Sequence, residues 1–91
     1  MNNIIRDDFK SFEILFDRYW FDLYRYCVKV LENEAEAEDA VQEVFCDLWE
    51  NRKRIVIEVS LEAFLFGCLR KKILKRFRDK GVKEKHLLIF R

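Results

Sequence analysis

The chain has 91 residues, too few to build two hydrophobic cores, so a single domain is expected. Hydrophobic residues make up 51% of it and aromatics 15%, which excludes a disordered chain; the lack of proline, with glycine only at Gly67 and Gly81, argues against a turn-rich all-β fold. The formal net charge of +1 hides a sorting: Glu32 to Glu50 holds eight acids and no Lys or Arg, whereas Arg70 to Arg91 holds ten Lys/Arg against Asp79 and Glu84. The acidic stretch suits a basic or polar protein partner and the basic stretch suits a polyanion.

Three helices are expected, with apolar residues recurring every three or four positions. The first spans about Asp8 to Leu31, with Asp7 or Asp8 as N-cap. Phe9, Phe12, Phe16, Tyr19, Leu23, Cys27 and Val30 fall on one face of it. The second spans about Glu34 to Glu50, with Asn33 as N-cap and Glu36 in capping-box position. Glu34 and Glu36 in its first turn also suit the helix dipole. Ala37, Ala40, Val41, Val44, Phe45 and Leu48 form its inward face.

Asn51 to Val59 breaks the period. Arg52-Lys53-Arg54 is fully polar and Ile55-Val56-Ile57 is β-branched, so a loop with room for a short extended piece is expected. Ser60 caps a third helix from about Leu61 to Asp79, and Gly81 stops it. Leu61, Phe64, Leu65, Cys68, Leu69, Ile73 and Phe77 face inward. Lys71, Lys75 and Arg78 form an outer strip, with Lys72 and Arg76 beside it. Residues 1–81 thus read as an all-α domain of three helices, or four if the tail adds one. Residues 82–91 read as a docked tail or the start of a linker.

Catalytic chemistry is not expected. His86 has no Cys or carboxylate at metal-ligand spacing, and no glycine-rich phosphate loop, GxSxG or HExxH occurs. No enzyme activity, metal or cofactor is expected. Cys27, Cys46 and Cys68 lack CxxC spacing and lie in apolar segments, so buried thiols are expected rather than a disulfide or zinc framework. No stretch approaches the ~18 apolar residues of a membrane span, and Met1 to Asp8 has no signal character, so a cytoplasmic protein is expected.

On the second helix Asp39, Gln42, Glu43 and Cys46 share the outward face, which ends at Trp49. An aromatic beside oriented polar groups is a usual make-up of a protein-binding hot spot. The alternative is a solvated face with Trp49 folded back onto the core.

The segment Asp39-Ala-Val-Gln-Glu-Val-Phe-Cys-Asp-Leu-Trp49 resembles the signature helix of region 2 of bacterial RNA polymerase sigma factors, most closely the extracytoplasmic-function (ECF) group. Phe12-Glu-Ile-Leu-Phe-Asp-Arg-Tyr19 with Leu23-Tyr24-Arg25-Tyr26 is similar to that family's first helix. Glu36-Ala-Glu-Asp39 leads into the signature as family members do, and Ser60-Leu-Glu-Ala-Phe-Leu-Phe66 is similar to the start of their third helix. The resemblance runs from about Phe9 to Arg78, with three motifs in order.

It implies a division of labour. Asp39, Gln42, Glu43 and Trp49 would contact core RNA polymerase, at the clamp helices of its largest catalytic subunit. The loop and third helix would engage the minus-ten promoter element, flip a non-template base into a pocket the loop helps form, and support DNA opening. Charge alone already points the basic end at a polyanion, since Lys and Arg neutralise phosphates and position a protein without reading sequence. The candidate DNA contacts are Arg52, Lys53 and Arg54 in the loop and Arg70, Lys71, Lys72, Lys75, Arg76 and Arg78 on the third helix.

Two departures bear on this. The family usually carries an Asn and, four residues on, an Asp where Lys71 and Lys75 stand here. That weights the helix toward phosphate contact and away from base readout. Secondly, a region 4 domain normally follows, so a fragment, or a lone region 2 with a separate DNA-positioning protein, is expected; an anti-sigma factor is a further candidate partner. The alternative function is a sigma-like adaptor or antagonist that binds polymerase without opening promoters. An unrelated helix-turn-helix fits poorly, because the nine residues Asn51 to Val59 exceed its usual turn of ~3–4.

Overall fold

A computed structural model describes residues 9–81. It holds α1 (Phe9–Leu31), α2 (Glu34–Glu50) and α3 (Leu61–Asp79), with no strand among the described residues. The expected Asp7 or Asp8 cap, the tail 82–91 and His86 lie outside them.

The caps set the boundaries. At the end of α1, Glu32 turns into the left-handed region at φ 55, an uncommon place for a residue with a Cβ, and its N–H donates back to Val28 O at 2.7 Å. Asn33 then caps α2, its Oδ1 accepting from Glu36 N at 2.8 Å. The Glu36 carboxylate does not complete the capping box; it takes Lys80, the C-cap residue that follows α3, at 2.7 and 2.8 Å. Ser60 caps α3 by accepting from Ala63 N at 3.1 Å. Past Lys80, Gly81 adopts φ 77, the left-handed stop that glycine takes without a Cβ penalty.

The core lies where the three helices meet. On α2 the six residues expected inward are the six that are buried. On α3 Leu65, Leu69 and Ile73 are buried, with Leu61, Phe64, Cys68 and Phe77 half-buried around them. On α1 the expected face is partly shifted. Leu23 and Cys27 are buried as expected, but Leu15 and Leu31 join them. Phe12, Phe16, Tyr19 and Val30 stay half-buried, while Phe9 is exposed at the helix start. Large rings on a long helix overrun the width of the core, so they pack along its margin.

One further expectation is corrected, and the expected loop gains a role in the core. Cys46 is exposed, because the outward direction of its position on α2 overrides its apolar neighbours; Cys27 is buried and Cys68 half-buried. The loop is not only a connector. Ile57 is fully buried, with Ile55 packed beside it and Val56 and Val59 exposed. The β-branched stretch therefore alternates in and out and pins the loop to the core.

Candidate functional site

The outward face of α2 has two edges. At 100° per residue, Asp39, Glu43 and Asp47 sit in one row, on the side of α3. There the cations of α3 meet them. Arg76 Nη2 donates to Glu43 Oε2 at 3.0 Å and lies 3.6 Å from Asp39 Oδ2. Lys72 Nζ lies 2.5 Å from Asp47 Oδ2 and 3.8 Å from Glu43 Oε1. The result is a ladder in which carboxylates and cations alternate, extended one turn further by Glu36 and Lys80. Residues separated widely in sequence, two placed among polymerase contacts and two among DNA contacts, are brought together. Exposed ion pairs are each worth about 1 kcal/mol or less, so this ladder orients side chains more than it holds the fold.

Gln42, Cys46 and Trp49 lie along the other edge, toward α1. Here they border an open groove of about 240 Å³ walled by Phe9, Phe12, Phe16 and Phe45. Trp49 is half-buried: its ring lies 5.0 Å from that of Phe12 and edge-on to Phe9 at 5.6 Å. Arg52 covers Trp49, with its guanidinium carbon 3.7 Å from the ring centroid, and donates to Trp49 O at 2.6 Å. Trp49 is thus packed back on α1 rather than projecting as a bare anchor. Of the three loop bases, Arg52 is committed to this stack, Arg54 donates to the Asn51 side chain, and Lys53 is exposed.

A second cleft, of about 270 Å³, opens between the end of α2, the loop and α3. Its walls are apolar, with Val44, Leu48, Ile55, Phe64, Leu65 and Cys68. Asp47, Asn51 and Lys72 supply polar groups. Burial pushes the Cys68 thiol above its ordinary value, with nearby Lys71 opposing the shift. Arg70, Lys71, Lys75 and Arg78 are exposed on the outer side of α3, and Lys75 forms an ion pair with Asp79 at 3.3 Å.

A family model described as sigma-70 region 2 matches residues 15–82, from the first buried leucine of α1 through the whole of α2, the loop and α3. The chain belongs to the sigma-70 region 2 family. No curated protein and no solved structure matches it. Sigma region 2 is a non-catalytic part of transcription initiation factors that work with core RNA polymerase and promoter DNA. The three-helix, all-α fold agrees with that membership. Among the described residues no helix is long and apolar enough to cross a membrane, and no group of three or more His, Cys, Asp or Glu could hold a metal ion.

Within this sigma region 2, sequence reasoning placed Asp39, Gln42, Glu43 and Cys46 on one face, and the structure keeps them there but divides the face, Asp39 and Glu43 toward the ladder with α3 and Gln42 and Cys46 toward the groove with α1. It missed the ladder entirely. The signal was present only as matched i, i+4 spacing: acids at Asp39, Glu43 and Asp47, cations at Lys72 and Arg76. A pocket that the loop helps form was implied by the resemblance, but its apolar walls were not named; the loop wall could have been sought in the alternation of Ile55 and Ile57.

Proposed function

We propose that this domain binds core RNA polymerase through the exposed face of α2 and minus-ten promoter DNA through the loop and the outer strip of α3, in the manner of an ECF sigma factor working in the cytoplasm. Asp39, Gln42 and Glu43 are the polymerase contacts, aimed at the clamp helices of the largest catalytic subunit, with Trp49 shaping the end of that face. Carboxylates gain strength there when paired with arginines of the partner. Arg70, Lys71, Lys75 and Arg78 neutralise phosphates. The observation that carries this reading is the separation of the two surfaces on one small fold. The outward carboxylates and Gln42 lie on α2, and a strip of exposed cations lies on the far side of α3, beside an apolar cleft.

That cleft suits an unstacked base. Ile55 and Phe64 offer apolar wall, and Asp47, Asn51 and Lys72 offer donors and acceptors to a base edge. Stacking of one base is worth ~1–3 kcal/mol, enough to help hold a melted strand. Lys53 and Arg54 at the loop would approach the backbone of that strand. The test is the salt dependence of DNA binding. Lys71→Ala/Lys75→Ala/Arg78→Ala should flatten the log–log slope by about 0.7–0.9 for each phosphate that is no longer neutralised. An unchanged slope would remove the outer strip from the DNA face.

A sigma-like adaptor or antagonist is the second reading, and it is favoured by Lys71 and Lys75, which stand where the family usually carries Asn and Asp. Permanganate footprinting separates the two. Reactive thymines on a candidate promoter with core polymerase support an opener. Thymines that stay unreactive, even with a positioning protein added, support the antagonist.

A further inference from the structure

Arg76 reads in sequence as one more cation of the DNA-binding end. Its surroundings give it different work. Its side chain is the most enclosed member of the ladder, at 20% exposure, against 46% for Glu43 and 68% for Asp39. Lys72 is likewise more enclosed than Asp47, at 27% against 54%. Along Asp39, Glu43 and Asp47 the cations therefore lie behind and the carboxylates in front, whereas at the Glu36–Lys80 end the order is reversed. A phosphate approaching this edge meets carboxylates first, whereas a cationic partner meets an ordered acidic row. Three carboxylates held by two cations also leave the ladder with one unmatched negative charge.

We infer that Arg76 is a positioning residue for the polymerase-facing carboxylates, bracing Glu43 and Asp39 from behind, and is not itself a DNA contact. This rests on the reading of α2 as the docking helix. Asp39 and Glu43 stand one turn apart on α2, where like charges repel. A guanidinium between them relieves that repulsion and limits their rotamers, so less ordering remains to be done when the partner's cations arrive. Lys72 performs the same service for Asp47 and the other oxygen of Glu43, and in addition borders the loop cleft.

The experiment measures binding of the full chain to core RNA polymerase, and to a DNA duplex across a salt series, with helicity checked by circular dichroism. Arg76→Ala should weaken polymerase binding by roughly three- to tenfold, the scale of releasing one or two braced side chains. It should leave the DNA salt slope unchanged. Arg76→Lys, which keeps a cation within reach of Glu43, should recover most of the loss. In an Asp39→Asn/Glu43→Gln background the same Arg76→Ala change should cost less than about twofold, since the groups it braces no longer carry charge.

An equal loss in both backgrounds would mean that Arg76 acts through the fold alone, and would overturn the inference. So would a salt slope that falls by about 0.9 with polymerase binding intact, which would make Arg76 a phosphate contact. If Asp39→Asn/Glu43→Gln itself left polymerase binding unchanged, the docking assignment underneath would fall first. Binding that depends on those carboxylates but ignores Arg76 sinks this inference only.

Discussion

The three thiols show how one residue type takes its chemistry from its place. Cys27 is fully buried in the core, and desolvation pushes its thiol up to about 11. Cys68 is half-buried and shifted the same way, and Cys46 is exposed beside Gln42 and Trp49. An aromatic disulfide reagent should therefore modify Cys46 first, Cys68 more slowly, and Cys27 only when the protein is denatured. Modification of Cys27 at the rate of Cys46 under native conditions would contradict this core. The pH dependence follows from the sign of the shift. Above the ordinary thiol value of 9.0, an unfolded chain releases the Cys27 proton, while the folded chain keeps it until about 11. Cys27 thus favours folding below pH 9 and withdraws that support as pH climbs through this window. All three thiols lie in apolar segments, which suggested burial for each, but helical spacing already set Cys46 on the outward face of α2 and Cys27 and Cys68 on apolar faces, and the structure follows the spacing.

At the scale of the element, caps and cores contribute unequally. Removing the Ser60 hydroxyl, which accepts from Ala63 N, should cost about 0.5–2 kcal/mol. Leu69→Ala, which empties a fully buried site between the helices, should cost about 2–5 kcal/mol. Urea denaturation of both variants checks the order; a Leu69→Ala cost no larger than that of Ser60→Ala would place Leu69 outside the core. The helices themselves were legible in sequence, because a period of three to four residues and capping residues at Asn33 and Ser60 agree on where each begins. On α2 the inward set could be read residue by residue. The rest needed the third dimension. Ile57 lies in the expected loop, but a short β-branched stretch carries no helical period to say which residues face inward, and the fold turns it into the core. Glu36 looked like half of a capping box, and Lys80, distant in sequence, took it instead. The apolar residues of α1 were expected on one face, and Phe9 shows that a ring at a helix end can run past what there is to cover it.

At the scale of the whole molecule, the sorted charge of the sequence is only partly a sorting of surfaces. Part of the acidic stretch and part of the basic stretch are folded against each other along the seam of α2 and α3, where Arg76 and Lys72 meet Asp39, Glu43 and Asp47. What stays open is narrower: the outward sides of those carboxylates with Gln42 on α2, and Arg70, Lys71, Lys75 and Arg78 on the outside of α3. This arrangement suits the proposed bridge between two partners of opposite charge. It also makes clear why the site was only half legible. Membership of each surface followed from helical spacing, but cancellation between surfaces depends on how two helices pack. The claim that α2 is the polymerase face is tested most directly by capture of core RNA polymerase on the immobilised full chain. The Asp39→Ala/Gln42→Ala variant should lose most of the bound polymerase while remaining folded, and the Lys71→Ala/Lys75→Ala/Arg78→Ala variant should retain it. Undiminished capture by the first variant, or equal loss from both, would contradict the assignment.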